Sequence, residues 1–492
     1  MTLPRRFMAR SLPVALALGL CAPLTVAAQT SQAPITAPTP APVPTTSGTP
    51  IPYPAYGSPA PDVAQQRQKP GIPVTVTLNQ AIDIAVVQSP AFASERAVYN
   101  AIAAKYGAEK SALLPAVSAQ ASATKSYGTF GTNGNSTNPN ATAAPAVQTE
   151  ESATIDVQQL IYDGGRTIAG IRSAKEADIS GRDTLLRQLQ QLAFNVATAY
   201  YTLLEDNASV LSDNALVREF EINEQFVTAQ IRTGAAPRSD LAAAQFQTAQ
   251  ARGALITAQG QAIAAEAAFA TTIGLDADTA ISPKLLGTSP PQMRVLSYQQ
   301  SLNEAFKLRP DFLSAEHAVE SDKENLRFAK LARFPSLTAN GSVGKERNLI
   351  TGEGATLPYS NPQSLGATLS IPIFDQGVTN YAVAQAASVL DQGIASLTQQ
   401  RLTVQSDVRG GLANLISARA SLVQAQAEVT SSTVTLQATQ AQYKVGATTI
   451  TAIVTAEANL ATAQRDYVAA LYGERLAEQQ YTFALGASDL TL

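Results

Sequence analysis

The sequence predicts a mixed α/β membrane protein in which a long antiparallel α-helical barrel continues into a β-barrel. Three observations predict it: the chain states one pattern twice, part of each copy alternates with period two, and the rest repeats apolar residues every seven positions. Composition points the same way. Of 492 residues 45% are hydrophobic and only 15% charged, and alanine outnumbers Leu, Ile and Phe. Such a chain favours close helix-helix packing over one thick globular core.

The first 28 residues carry an export signal's three parts. Arg5, Arg6 and Arg10 precede an apolar run from Leu12 to about Leu24, and Val26-Ala27-Ala28 forms a small-residue cleavage site. Cleavage after Ala28 removes three arginines and no acids, taking the formal charge from -4 to -7. It also removes Cys21, the chain's one cysteine. Lipidation of Cys21 would need a small residue before it, and Leu20 stands there. Residues 29–74 are rich in Pro, Ala, Thr and Ser and read as an extended, disordered tether, because they cannot bury enough apolar area to offset their ordering entropy.

The two copies share anchors 212 residues apart. Ile161-Tyr-Asp-Gly164 answers to Ile373-Phe-Asp-Gln376, Arg232-Thr-Gly-Ala235 to Lys444-Val-Gly-Ala447, and Phe269–Gly274 to Tyr481–Gly486. Upstream, Leu114-Pro115 pairs with Phe334-Pro335 at an offset of 220, so the first copy carries eight more residues between these anchors. The first repeat is expected over 75–288, the second over 289–486, with a tail at 487–492.

Period two predicts strands at 115–127, 152–162, 335–344 and 365–374. Val117, Ala119, Ala121 and Ala123 alternate with Ser118, Gln120, Ser122 and Thr124, and Leu365, Ala367 and Leu369 with Gly366, Thr368 and Ser370. Each run approaches the 9 to 11 residues that a tilted strand needs to cross a bilayer. Tyr127 and Phe130 at one end, and Tyr162 and Phe374 at the other, suit two interfacial girdles. Gly128–Glu150 and Gly344–Ser364 read as polar surface loops. Four strands cannot close a barrel, since the smallest closed ones need about eight. Chains must therefore pool them, and three would supply twelve.

The remaining segments are helical. Leu189, Val196, Leu203, Val210 and Val217 recur at seven-residue steps, as do Val408, Leu415, Leu422, Val429, Leu436 and Tyr443, which predicts left-handed coiled pairs. Helices are expected over 91–113, 165–232, 240–272, 311–333, 377–444 and 450–484. The longest would reach about 100 Å at 1.5 Å per residue.

Little here suits an enzyme. One histidine, His317, one cysteine and no tryptophan leave no parts for a zinc cluster or a disulfide framework, and no cofactor or metal is expected. His317 reads as a satisfied or exposed helix residue. A mild negative charge without a basic block argues against nucleic acid.

Thr77-Leu-Asn-Gln-Ala-Ile through Ser89-Pro90, the turn Tyr162-Asp-Gly-Gly165, and Tyr443-Lys-Val-Gly446 through Ala456-Glu-Ala-Asn-Leu460 together resemble the outer membrane efflux proteins, the TolC-like outer membrane factors of tripartite export systems. The resemblance covers Leu78 to Gly486. It implies a homotrimer: a 12-strand barrel in outer-membrane lipid, continued by a periplasmic helical tunnel. It implies a periplasmic adaptor (membrane fusion) protein and an inner-membrane transporter as partners, and passive conduction in efflux or type I secretion. It places a gate at the helical tips, where Asp240 and Tyr443 match the family's pattern. Thr448 stands where the family has an arginine, and Ala452 and Thr455 where it has constriction aspartates, which implies a looser or differently charged gate. The tips Arg232, Gly234, Ala235 and Lys444, Gly446, Ala447 resemble adaptor-docking turns. Read from residues alone, Asp240 is equally a charge favoured by a helix N-terminus; pure chain-reversal glycines would look the same as docking tips, and docking is favoured because both tips must face solvent. A periplasmic coiled-coil scaffold without a pore is the alternative reading.

Overall fold

The computed structural model describes residues 74–129, 145–234, 236–284, 295–351 and 358–487. The expected signal at 1–28, all but the last residue of the tether, Phe130, Ala235 and residues 488–492 lie outside them.

Among the described residues the order is β1 (Val74–Val76), α1 (Leu78–Gln88), α2 (Pro90–Ser111), β2 (Ala116–Thr129), β3 (Pro145–Tyr162), α3 (Arg166–Arg232), α4 (Arg238–Thr272) and β4 (Ile281–Pro283). It continues with α5 (Tyr298–Leu308), α6 (Pro310–Leu331), β5 (Ser336–Thr351), β6 (Gln363–Ser370), α7 (Val378–Lys444) and α8 (Ile450–Leu485). Val74 is thus the first residue of β1, not tether. β1 pairs in parallel with β4, Val74 opposite Ile281, a short sheet that no periodicity announced.

The four long strands form one antiparallel sheet in the order β2-β3-β5-β6. Its strands are longer than alternation of apolar residues suggested. β2, β3 and β5 run on into the polar stretches expected to be loops, with Thr124 opposite Glu150 and Thr149 opposite Leu349. The reason is that an antiparallel ladder satisfies backbone groups whatever the side chains are. β6 is the exception: it ends at Ser370 instead of 374, because Pro372 has no N–H to donate to a ladder.

α3 and α7 each span 67 residues. Each follows an Asx turn, the first directly after β3 and the second five residues beyond the end of β6. Asp163 accepts from the Gly165 and Thr167 amides at 3.0 and 2.6 Å, and Asp375 accepts from Gly377 and Thr379 at 3.0 and 2.8 Å. Burial raises the Asp163 carboxyl, but hydrogen bonds from Thr167, Gly165 and Arg166 outweigh it and hold it below the ordinary carboxylate value. The two turns differ at one position: Gly164 has φ +70°, whereas Gln376 adopts φ +57° with a side chain.

Buried apolar residues form small clusters strung along the helices, as alanine-rich heptads dictate. One joins Val196, Tyr200, Leu203 and Phe269 beside the short parallel sheet, and another joins Val227, Ala244, Leu436, Ile453 and Leu460 near the helical tips. The heptad residues Leu189, Val196, Leu203, Val408, Leu415 and Leu436 are buried, while Val210, Leu422 and Val429 are half-buried.

A charged knot sits on the strand side of both clusters, at Arg187 before Val196 on α3. Arg309, 1% exposed at the junction of α5 and α6, donates to Asp311 at 3.0 and 2.6 Å, to Asp407 of α7 at 2.9 Å and to the Ala484 carbonyl of α8 at 3.3 Å. Arg187 of α3 lies 3.5 Å from Asp311 and stacks over Phe483. Burial brings Arg187 down to about 10 against the pull of Asp311. Five helices therefore meet on two guanidinium groups.

Candidate functional site

Both long hairpins reverse on a glycine. α3 ends at Thr233-Gly234 with φ +74°, and α7 ends at Val445-Gly446 with φ +73°. A left-handed residue closes each turn: the Gly234 amide donates to Ile231 O, the Gly446 amide to Tyr443 O and the Ala447 amide to Gln442 O. A Cβ at Gly234 or Gly446 would meet nothing within 4 Å. The glycines are there for backbone conformation, and the tips stand open.

Three polar ties join the α3–α4 hairpin to the α7–α8 hairpin on this side. Nearest the tips, the Tyr443 hydroxyl faces Gln230 Oε1 at 3.2 Å and Asp240 Oδ2 at 3.3 Å. Burial, with the Asp240 charge and hydrogen bond, raises the Tyr443 phenol above its ordinary value. Farther along, Asn223 Nδ2 donates to Glu457 Oε1 at 3.1 Å, and Arg465 Nε donates to Asp213 Oδ1 at 3.0 Å.

Glu457 is the unusual member. It is 2% exposed, and its Oε2 is buried without a hydrogen-bond partner. Burial and the neighbouring Glu219 push it up to about 7, against the Asn223 hydrogen bond.

Of the residues expected at a gate, Asp240 and Tyr443 are in contact. Asp240 also lies in the first turn of α4, so its helix-dipole role and its contact with Tyr443 coexist. Thr448 is half-buried beside the turn, and Ala452 is half-buried on α8. Thr455 is exposed and returns its hydroxyl to Thr451 O at 2.9 Å within its own helix. Arg232, Gly234, Lys444, Gly446 and Ala447 are exposed at the two reversals. Sequence reasoning missed Gln230, Asn223 and Glu457. A signal for Glu457 existed: the residues three and four positions away from it on α8, Ile453, Val454, Leu460 and Ala461, are all apolar. His317 meets Glu176 of α3 at 2.9 Å, a helix-helix contact. No group of three metal-ligating side chains occurs among the described residues.

The strands supply the other half of the site. Along β2, β3 and β5 the register aligns Val117, Val157 and Gly341 on one face, and Ser118, Asp156 and Ser342 on the other. A sheet with one apolar and one polar face, carried on helices about 100 Å long, fits the sequence profile of the outer membrane efflux proteins, which matches residues 81–275 and 301–487. The chain belongs to the outer membrane efflux protein family. Among relatives of this efflux protein, the outer membrane efflux protein BepC of Brucella suis is 24% identical over 327 residues, covering 65% of this chain and 69% of BepC. The outer membrane protein TolC of Escherichia coli is 26% identical over 431 residues, covering 83% and 82%. In fold the efflux protein is similar to the CmeC outer membrane channel of Campylobacter jejuni, with a TM-score of 0.70 at 18% identity over 83% of this chain and 85% of that one. The protein is thus an efflux channel of the outer membrane. Among the described residues no helix is long and apolar enough to cross a membrane.

Proposed function

We propose that three copies of this chain pool their strands into a 12-strand barrel and their helices into a tunnel, forming a passive exit duct across the outer membrane and periplasm. One observation carries this reading. The four-stranded sheet is open at both edges, β2 and β6, while four strands fall short of the roughly eight that closure needs. Unpaired backbone groups cannot face lipid, so each edge requires a strand from another copy. The matching element order of 75–288 and 289–486 supports an internal duplication that lets each chain fill two positions around the tunnel wall.

The same reading assigns the gate to the tips. The Tyr443 tie to Asp240 and Gln230 holds the α7–α8 hairpin against α3–α4, and freeing it widens the bore. Thr448, Ala452 and Thr455 offer neither an arginine nor carboxylates, so closure rests on few polar bonds and no anionic ring. The open tips, Arg232, Gly234 and Ala235 with Lys444, Gly446 and Ala447, are where a periplasmic adaptor docks and links the duct to an inner-membrane transporter.

Purified protein in planar bilayers tests the reading. A heat-sensitive trimer conducting ions without divalent block is the expected result. A water-soluble monomer, stable without detergent, overturns it in favour of a coiled-coil scaffold.

A further inference from the structure

The sheet register sorts charge as well as polarity. Beyond the row Ala119, Ile155 and Val343, the apolar face continues with Lys345 opposite Ala153, Arg347 opposite Glu151, and Lys125 opposite Thr149. All three cations of this strand end lie on the apolar face. The acids Glu150 and Glu346 lie on the polar face, as does Asp156 deeper in the sheet. Among the described strand residues, Glu151 is the only acid that shares the cations' face, and Arg347 already neutralises it at 2.8 Å.

Lys125 and Lys345 are exposed and have no carboxylate partner among the described residues. Aromatic rings stand beside the cations. Lys125 Nζ lies 5.6 Å from the centre of the Tyr127 ring, and the Arg347 guanidinium 4.8 Å from that of Tyr359. Two residues along a strand advance about 7 Å. Lys345 therefore sits one such step beyond Val343, in a row with Ala121 and Ala153, and this end of the sheet is the one remote from the helices.

On the proposed reading that these strands cross the outer membrane, we infer that Lys125 and Lys345, flanked by Tyr127 and the Arg347–Tyr359 pair, form a docking rim for the phosphate groups of the outer leaflet's glycolipid. A lysine on a lipid-facing surface is costly unless its ammonium reaches the interface. At that level the abundant anion is a lipid phosphate, and of the described strand acids that would compete for the ammonium groups, Glu151 is held by Arg347 while the rest lie on the other face. An electrostatic contact of this kind is worth about five-fold in affinity per lysine.

The experiment uses the full-length trimer reconstituted in nanodiscs, with diphosphorylated lipid A and enzymatically dephosphorylated lipid A as probes, and counts retained lipid by native mass spectrometry. Wild type should retain the diphosphorylated form preferentially. Lys125→Gln combined with Lys345→Gln should lose most of that preference, about five-fold per lysine, while keeping the wild-type heat-sensitive trimer. Equal retention of the two probes by wild type, or an undiminished preference in the double variant, overturns the rim. Displacement of lipid A by millimolar inorganic phosphate also overturns it, since the site would then recognise a free anion. A chain that never enters the nanodisc refutes the membrane reading itself, and the rim with it.

Discussion

Tyr443 on the last turn of α7 and Asp240 on the first turn of α4 are joined hydroxyl to carboxylate at 3.3 Å, with Gln230 Oε1 at 3.2 Å as a second acceptor for the same proton. One side chain of the α7–α8 hairpin therefore touches both limbs of α3–α4. Tyr443→Phe removes the donor and leaves the ring. One net hydrogen bond contributes about 1 kcal/mol, so the ratio of open to closed channels should rise about five-fold in single-channel recordings. Unchanged opening would show that the gate is held elsewhere.

Glu457 gives the helical part a pH dependence. Its folded value of about 7 lies above the ordinary 4.5, so the folded state binds the extra proton. Its favourable contribution is complete below about pH 4.5 and is lost as pH rises through 7, at a cost of about 3 kcal/mol well above that. Glu457→Gln keeps an acceptor for Asn223 and cannot ionise. Thermal unfolding followed by circular dichroism should show the variant matching wild type at pH 5 and exceeding it at pH 8. Parallel curves at both pH values would refute the burial argument.

Arg309 is predicted to be the most sensitive charged position. Arg309→Met leaves Asp407 without its guanidinium, leaves Asp311 only the longer contact to Arg187 at 3.5 Å as an ion pair, and strips the Ala484 carbonyl of a donor. Breaking a buried ion pair from one side costs about 3–5 kcal/mol. Loss of the proposed heat-sensitive trimer at lower temperature than in wild type would be the readout.

Asp163 should matter in acid. Its carboxyl is held below the ordinary value, so its contribution is present above the unfolded pKa and disappears as pH falls through the folded one. Asp163→Ala should cost about 1 kcal/mol, the usual worth of a helix-start cap. The loss should show in unfolding curves at pH 7 and shrink towards pH 3.

Gln376 holds a left-handed conformation, φ +57°, that its counterpart Gly164 adopts without a side chain. Gln376→Gly relieves about 1–2 kcal/mol of backbone strain and gives back about 0.5–1 kcal/mol as unfolded-chain entropy. A net gain of about 0–1.5 kcal/mol in unfolding free energy is expected.

How far the sequence could be read depended on the range of the interaction. The heptad rows through Leu203 and Leu415 announced buried helix faces because residues seven apart share one face whatever the partner. The strand ends were misjudged for the opposite reason. Thr149 and Asn348 carry no apolar signal, and only the facing strand decides that they belong to the ladder. The tip contact was half legible: turn glycines and the resemblance pointed to Tyr443 and Asp240, but nothing local pointed to Gln230, 213 residues before Tyr443.

The sequence alone determined the long helices and the strands, the reversals at Gly234 and Gly446 and the two-faced sheet, since each follows from backbone conformation or from spacing along one element. Only the tertiary structure decided that Glu457 is buried beside Asn223, that Arg309 binds Asp407, and that Lys125 and Lys345 share a face. Those facts depend on which helix or strand lies alongside. Charge and burial act through space, and a chain written in one dimension does not record what stands opposite.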